Sequence, residues 1–199
     1  MIEDTCAIIL LAGGLSERFG SCDKLLAPLN GQPLGSYAAS LFESQRTPLH
    51  CVVTPDSANA RSALYRAHGW HVLTNPAPER GQGSSLAIAS DYLLSTKANS
   101  TLILLADMPF VTEAYLQSMV KAASPNQAVM SQCEDILQPP ALFPRSAFTL
   151  LADATADIGA RAIFKRLPDT TTHPICAMMA RDIDTQAALT GAQESPLHV

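Results

Sequence analysis

The chain has 199 residues, of which 47% are hydrophobic and 16% charged, the balance of a compact folded protein and not of a disordered one. A formal net charge of −5 excludes the broad Lys/Arg surfaces that bind nucleic acid or membranes, so any anion must be held locally by a few cations, backbone amides or a metal. Five cysteines, odd in number and never spaced as CxxC, suit reduced thiols in a cytosol better than a disulfide framework.

The length predicts one domain over 1–199. The opening "MIEDTC" is acidic and runs straight into an apolar segment, which does not read as a signal peptide. Runs such as "TLILLA" are far too short to cross a bilayer, and the expectation is a cytoplasmic protein with no membrane or nucleic-acid partner.

In chain order, "CAIILLA" (6–12) is a short continuous run rich in branched residues, the pattern of a strand buried on both faces. Helical spacing at Leu34, Tyr37, Leu41 and Phe42 predicts a helix over 33–45. "HCVVTP" (50–55) predicts a strand, 56–69 a helix opened by Asp56 and closed by Gly69, and "WHVLTN" (70–75) a third strand. A helix over 83–95, a strand over 101–107 and a helix over 112–124 capped by Thr112 continue the alternation. Beyond them the sequence predicts a strand at 127–132, a loop containing "QPP" (138–140) and a strand-like "ALF" (141–143). Helical pieces over 145–153 and 158–167 follow, then a strand at 175–180 continued by "RDID", and a last helix from Thr185.

Such alternation implies an α/β fold of three layers, a mainly parallel sheet flanked by helices on both faces. Ligands of such sheets sit outside the carboxyl ends of the strands, and the unusual residues fall in those loops.

The first loop leaves its strand through Gly13 and Gly14, then presents Arg18 and Lys24. The glycine spacing fits neither GxGxxG nor a P-loop, because the next glycine is Gly20 and Ser21, not lysine, follows it. The two glycines permit positive φ and let a ligand lie against bare backbone, whose amides can form an anion nest. Arg18 offers a fork of donors and Lys24 a mobile point charge for phosphate oxygens. The competing reading is a strand-exit turn with two solvated cations.

After the fourth strand comes Asp107, a carboxylate at a strand's end that suits a hard cation such as Mg²⁺ or, in the plainer reading, a helix cap or turn. "RDIDT" (181–185) adds Asp182 and Asp184, on one side of an extended segment; Asp184 is the stronger candidate ligand, with helix capping by Asp184 or Thr185 as its alternative. Gly81, Ser84 and Ser85 open a helix where amides and hydroxyls suit a base or phosphate, or simply form a glycine-serine cap. "DIGAR" (157–161) reads locally as a helix start with an outward cation. The five histidines are dispersed and read as structural or solvent-facing.

"LAGGLSERFGSCDKLL" resembles the signature of the nucleotidyltransferase family that contains the molybdenum cofactor guanylyltransferases and cytidylyltransferases, with Leu11, Gly13, Gly14, Ser16, Arg18, Gly20, Lys24 and Leu25 matching. The resemblance spans about residues 6–187 and implies the Rossmann-like fold of nucleotide-diphospho-sugar transferases. It makes Arg18, Lys24 and Asp107 catalytic and gives the nucleotide to Leu11, Ala12, Gly13, Gly14, Arg18, Lys24, Gly81, Ser84 and Ser85. It makes "DMP" (107–109) the metal motif, with Asp184 of "DIDT" completing a Mg²⁺ site.

On the acceptor side, the resemblance points to Asp157, Gly159 and Arg161 and to Pro140, although Gln138 and Pro139 stand where relatives have glycine and histidine. "LAGG" is typical of the guanylyl branch, "DIGAR" and "DIDT" of the cytidylyl branch, and the longer set favours the latter. The implied reaction moves CMP, or alternatively GMP, from CTP or GTP to the phosphate of molybdenum cofactor, which serves a molybdoenzyme of the xanthine dehydrogenase type. Two alternatives are a non-catalytic carrier or insertion protein for that cofactor and a transferase acting on another small phosphate, such as a sugar or polyol phosphate.

Overall fold

The computed structural model describes residues 5–20, 22–43, 49–55, 59–154 and 159–193. Its elements are β1 (Cys6–Leu11), a two-residue-armed hairpin of β2 (Pro28–Leu29) and β3 (Gln32–Pro33), α1 (Leu34–Ser40), β4 (His50–Thr54), α2 (Ala60–Ala67) and β5 (His71–Thr74). There follow α3 (Gln82–Leu94), β6 (Ser100–Leu105), α4 (Glu113–Ala122), β7 (Ala128–Cys133), β8 (Ile136–Pro144), α5 (Phe148–Ala152), α6 (Ala160–Phe164), β9 (Thr170–Pro174) and α7 (Gln186–Gln193). One seven-stranded sheet runs β5-β4-β1-β6-β8-β7-β9. Only β8 is antiparallel to its neighbours, so the sheet is mainly parallel, as expected.

The two-residue period of the strands builds the layers. Ile8 and Leu10 of β1 face one side with Val52, Leu102 and Leu104, packed against Leu34, Tyr65, Leu116 and Met119. Ala7, Ile9 and Leu11 face the other with Val53 and Ile103, against Leu86 and Leu93 of α3, Phe148 of α5 and Ile163 of α6. Every residue of β1 is buried, which is why its sequence is apolar without alternation. A fully buried Ile or Leu contributes roughly 1.5–3 kcal/mol relative to exposure. The central strand is therefore a rigid base for the loop that follows it.

Three expectations change. The "QPP" segment is not a loop but lies inside β8. The β7–β8 register shifts between Met130 and Ser131, so that Met130 faces Ala141 while Ser131 faces Gln138. Pro139 and Pro140 fall in that bulge, where their missing N–H groups cost no ladder bond. The edge strand is β9, polar and alternating, and not the apolar 175–180. That run forms a tight turn in which the Ala180 N–H donates to Cys176 O at 3.0 Å, and Ile175 is buried while Met178 is exposed. The "RDID" continuation is likewise irregular backbone. Finally, α2 begins at Ala60 with Asn59 as its cap, accepting from the Ser62 N–H at 2.8 Å; Asp56 lies outside the described residues.

Thr112 caps α4 as expected, accepting from the Tyr115 N–H at 3.2 Å. No disulfide joins any of the five cysteines. Among the described residues no helix is long and apolar enough to cross a membrane.

Candidate active site

Where β1 ends, the Ala12 N–H donates to Val53 O at 2.9 Å and the Ala106 N–H donates to Leu11 O at 3.1 Å, so the exits of β1, β4 and β6 are stitched together. The glycine loop starts there. Neither Gly13 nor Gly14 adopts positive φ, contrary to the expectation; the left-handed residue is Ser16, at φ 59°. Gly13 is small for another reason: a Cβ on it would lie 2.5 Å from Ser85 Oγ, so a side chain there requires the Ser85 hydroxyl to move. A Cβ on Gly14 would meet nothing within 4 Å.

Past Ser16 the loop makes a single turn of 3₁₀ helix, Glu17–Phe19, anchored by buried Phe19, which leaves Arg18 with 75% of its side chain exposed. A second such turn, Lys24–Leu26, is opened by Asp23, which accepts from the Leu25 N–H at 3.0 Å. The Lys24 N–H donates to Ser16 Oγ at 3.2 Å. This contact folds the loop back on itself and aims the Lys24 ammonium at the end of β6.

There it meets two carboxylates. Lys24 Nζ lies 2.5 Å from Asp107 Oδ2 and 2.6 Å from Asp184 Oδ1, and Arg18 Nη2 lies 2.6 Å from Asp184 Oδ2. Asp107 is carried by a turn held down by buried Met108 and Phe110. Asp184 is brought from the far end of the chain by fully buried Ile183, whose N–H donates to Asp107 O at 2.9 Å. Thr185 takes the capping role for α7, accepting from the Ala188 N–H at 3.1 Å, and this leaves the Asp184 carboxylate to the two cations.

The electrostatics follow from this geometry. Burial opposes the Lys24 charge, but Asp107 and Asp184 outweigh it and hold the ammonium above its ordinary 10.5. Burial likewise opposes ionisation of Asp184, yet hydrogen bonds and charge from Lys24 and Arg18 bring its carboxyl below the usual 3.8. Asp182 is exposed and does not line the cleft; packing around its carboxyl and the charges of Asp184 and Asp107 push it upward. Asp107 Oδ1 is buried with no hydrogen-bond partner. A hard divalent cation takes oxygen ligands, and an orphaned carboxylate oxygen beside a second carboxylate that shares its cation fits that requirement. The protein alone offers two such carboxylates; among the described residues no group of three or more His, Cys, Asp or Glu side chains gathers. Phosphate oxygens and water would have to complete the shell.

A cleft of about 440 Å³ opens over these groups, and Leu11, Gly13, Gly14, Arg18, Lys24, Gly81, Ser85, Asp107 and Asp184 all line it. Other expected residues stand elsewhere. Ala12 is buried behind the loop. Ser84 is turned into its own helix start, accepting from Asn75 Nδ2 at 2.9 Å and donating to Gly81 O at 2.7 Å. Pro140 sits in the sheet, its carbonyl accepting from Ser131 Oγ at 2.7 Å. Gly159 precedes α6 and approaches the cleft through Gln82, whose Oε1 would lie 3.1 Å from a Cβ there. Arg161 is exposed on α6, and Asp157 lies outside the described residues.

Sequence reasoning missed Arg61, 4% exposed at the start of α2. Its guanidinium donates to Asp23 Oδ1 and Oδ2 at 2.7 and 2.8 Å and to the carbonyls of Ala12 and Gly14 at 2.6 and 2.8 Å. Its only signal in the sequence is an arginine in a helix's first turn, where the macrodipole disfavours a cation. Asn75, buried beside α3, donates to both Ser84 and Ser85 and sets where the Ser85 hydroxyl stands.

A glycine loop at a parallel strand's end, with two cations tied to one carboxylate just after β6 and another from the segment before α7, defines a phosphate-handling α/β protein of the nucleotidyltransferase kind. Residues 8–171 match the MobA-like NTP transferase domain, and the chain belongs to that family of nucleotidyltransferases. It is similar to the purine catabolism protein PucB of Bacillus subtilis (strain 168), 30% identical over 165 residues, covering 79% of each chain. It is also similar to a molybdenum cofactor guanylyltransferase of Shewanella loihica, 28% identical over 157 residues, covering 78% of this chain and 76% of that one. Among solved structures, Rv0371c of Mycobacterium tuberculosis H37Rv superposes with a TM-score of 0.79 at 21% identity over 96% of this chain and 98% of that one. A manganese complex of Rv0371c superposes with a TM-score of 0.73 at 18% identity, over 96% of this chain and 98% of that one. These structural likenesses establish the Rossmann-like fold expected from the sequence.

Proposed function

We propose that this protein transfers CMP from CTP to the terminal phosphate of molybdenum cofactor and releases pyrophosphate. An oxygen of the acceptor phosphate attacks the α-phosphorus, a new P–O bond forms, and the bond from the α-phosphorus to the bridging oxygen breaks. The observation that carries the reading is the ion-pair chain Arg18–Asp184–Lys24–Asp107 across the mouth of a glycine-lined cleft. Lys24 is buried and its ammonium is favoured by two carboxylates, so it suits the negative charge that builds on the α-phosphate and the leaving pyrophosphate. Exposed Arg18 suits the outer phosphates, which arrive from solvent. No general base is required, since the acceptor phosphate is already ionised near neutral pH.

Asp107 and Asp184 are the side chains that would hold a divalent cation, Mg²⁺ in this reading. Such an ion, when bound, neutralises phosphate charge and orients the two reacting groups. The proximity of Gly159 to Gln82 favours an acceptor near α6, and Arg161 is then a candidate for its phosphate. The motifs "DIGAR" and "DIDT" favour CTP over GTP. The name of the Bacillus relative, a purine catabolism protein, agrees with a client molybdoenzyme of the xanthine dehydrogenase type.

The test is direct. The protein is incubated with CTP or GTP, Mg²⁺ and purified molybdenum cofactor, and pyrophosphate and the dinucleotide product are followed. The expected result is cofactor-dependent pyrophosphate release with CTP preferred. Release with GTP alone would move the protein to the guanylyl branch. Tight binding of cofactor with no release from either nucleotide would make it a carrier.

A further inference from the structure

We infer that Arg61 is a positioning residue that turns the Gly13 and Leu15 amides into the cleft, where they receive phosphate oxygens. Its two Nη1 donations, at 2.6 and 2.8 Å, go to the carbonyls of Ala12 and Gly14, alternate residues of the glycine loop. In a planar trans peptide the C=O and the following N–H point in opposite directions. With the Ala12 and Gly14 carbonyls drawn inward to Arg61, the N–H groups of Gly13 and Leu15 point outward. Gly13 and Leu15 both line the cleft, and among the described residues neither amide has a hydrogen-bond partner. Two outward amides spaced this way form the concavity that holds an oxyanion.

The rest of the guanidinium fixes this arrangement. Nε and Nη2 take both oxygens of Asp23 in a fork, at 2.8 and 2.7 Å. Asp23 opens the turn that carries Lys24. One buried side chain therefore sets both limbs of the anion site, the amides on one side and the ammonium on the other. A lysine at this position could not do the same, because an ammonium lacks the planar fork.

This inference rests on reading the cleft as a triphosphate site. The test uses the full chain, with inorganic tripolyphosphate and cytidine as separate probes. Arg61→Lys keeps a charge beside Asp23 and loses the fork. Arg61→Met combined with Asp23→Asn removes both charges, so that neither is left buried alone. Each variant should keep its far-UV circular dichroism and a cooperative melt. Tripolyphosphate affinity should fall at least about tenfold, the effect of one or two lost charge-assisted hydrogen bonds, while cytidine affinity stays within about twofold. In wild type, the Gly13 and Leu15 amide resonances should shift on adding tripolyphosphate, and in the variants they should not.

Folded variants that bind tripolyphosphate like wild type overturn the inference, as do equal losses for both probes or wild-type amides that ignore the probe. A wild type that binds tripolyphosphate through these amides but transfers no nucleotide overturns the proposed reaction and leaves the role of Arg61 standing.

Discussion

Strands β5, β4, β1 and β6 form one half of the sheet and run parallel; β8 reverses direction, and β7 and β9 complete the other half. In the parallel half, β1 and β6 end at the loops that carry Gly13, Lys24 and Asp107, and all of these reach one cleft. In the mixed half the corresponding ends are spent on a hairpin and a turn, tied by Gln138 Nε2 donating to Ala180 O at 2.8 Å. The cleft thus rests on the ends of buried parallel strands. The mixed half presents connections instead, the part of a fold that varies most easily. Among the described residues that line the cleft, Asp184 is the one that crosses between the halves, arriving after β9 to join a site otherwise made by the parallel half.

Four measurements can break or sharpen this contrast. The largest effect belongs to Asp107→Asn, which keeps the size of the side chain and removes the charge that Lys24 meets and that a divalent cation would use. Turnover should fall by roughly a hundredfold or more with the fold intact. Near-normal turnover at saturating Mg²⁺ would remove Asp107 from the reaction.

Next is Gly13→Ala, whose methyl group meets Ser85 Oγ. It should destabilise the protein by about 1–3 kcal/mol in denaturant melts, and adding Ser85→Ala should restore a large part of that loss. Additive losses in the double variant would mean that Gly13 is required for something other than this close approach.

A smaller effect is expected in the mixed half. Arg161→Ala should raise the KM for the acceptor by about threefold, the scale of one exposed charge contact, and leave the KM for nucleotide unchanged. A change in the nucleotide KM instead would erase the division of labour between the halves.

The smallest concerns Asp182, whose carboxyl is pushed above the usual 3.8 by packing and by its acidic neighbours. A raised carboxyl pKa favours the fold at low pH, and that contribution is lost as pH rises through the raised value. Asp182→Asn should therefore stabilise the protein near pH 7, by less than about 0.5 kcal/mol because the group is exposed. The gain over wild type should close as pH falls below 3.8. A gain that persists in acid would assign the effect to packing and not to charge.

The same contrast explains what the sequence made legible. Strands buried on both faces read as continuous apolar runs, so β1, β4 and β6 were visible to within a residue or two. Gly13, Lys24 and Asp107 stood out because each follows such a run. In the mixed half those cues mislead. The edge strand β9 is "TTTHP", with no apolar run, while the apolar "ICAMMA" is a turn pinned by Ile175. Two prolines in β8 read as a loop because a bulge cannot be seen without its partner strand. Arg61 was nearly invisible for a related reason: besides Asp23 its partners are carbonyls nearly fifty positions away, and a carbonyl leaves no mark on the sequence.

The bond from the Ile183 N–H to Asp107 O carries one more consequence. The family match ends at residue 171, before the segment that supplies Asp184. A fragment trimmed to the matched region would retain every signature of the glycine loop yet leave the Lys24 ammonium with one carboxylate in place of two. Site and tail therefore form one working unit. Exchanging only the stretch from Ile175 to α7 between relatives is a way to retune the second carboxylate while the glycine loop stays untouched.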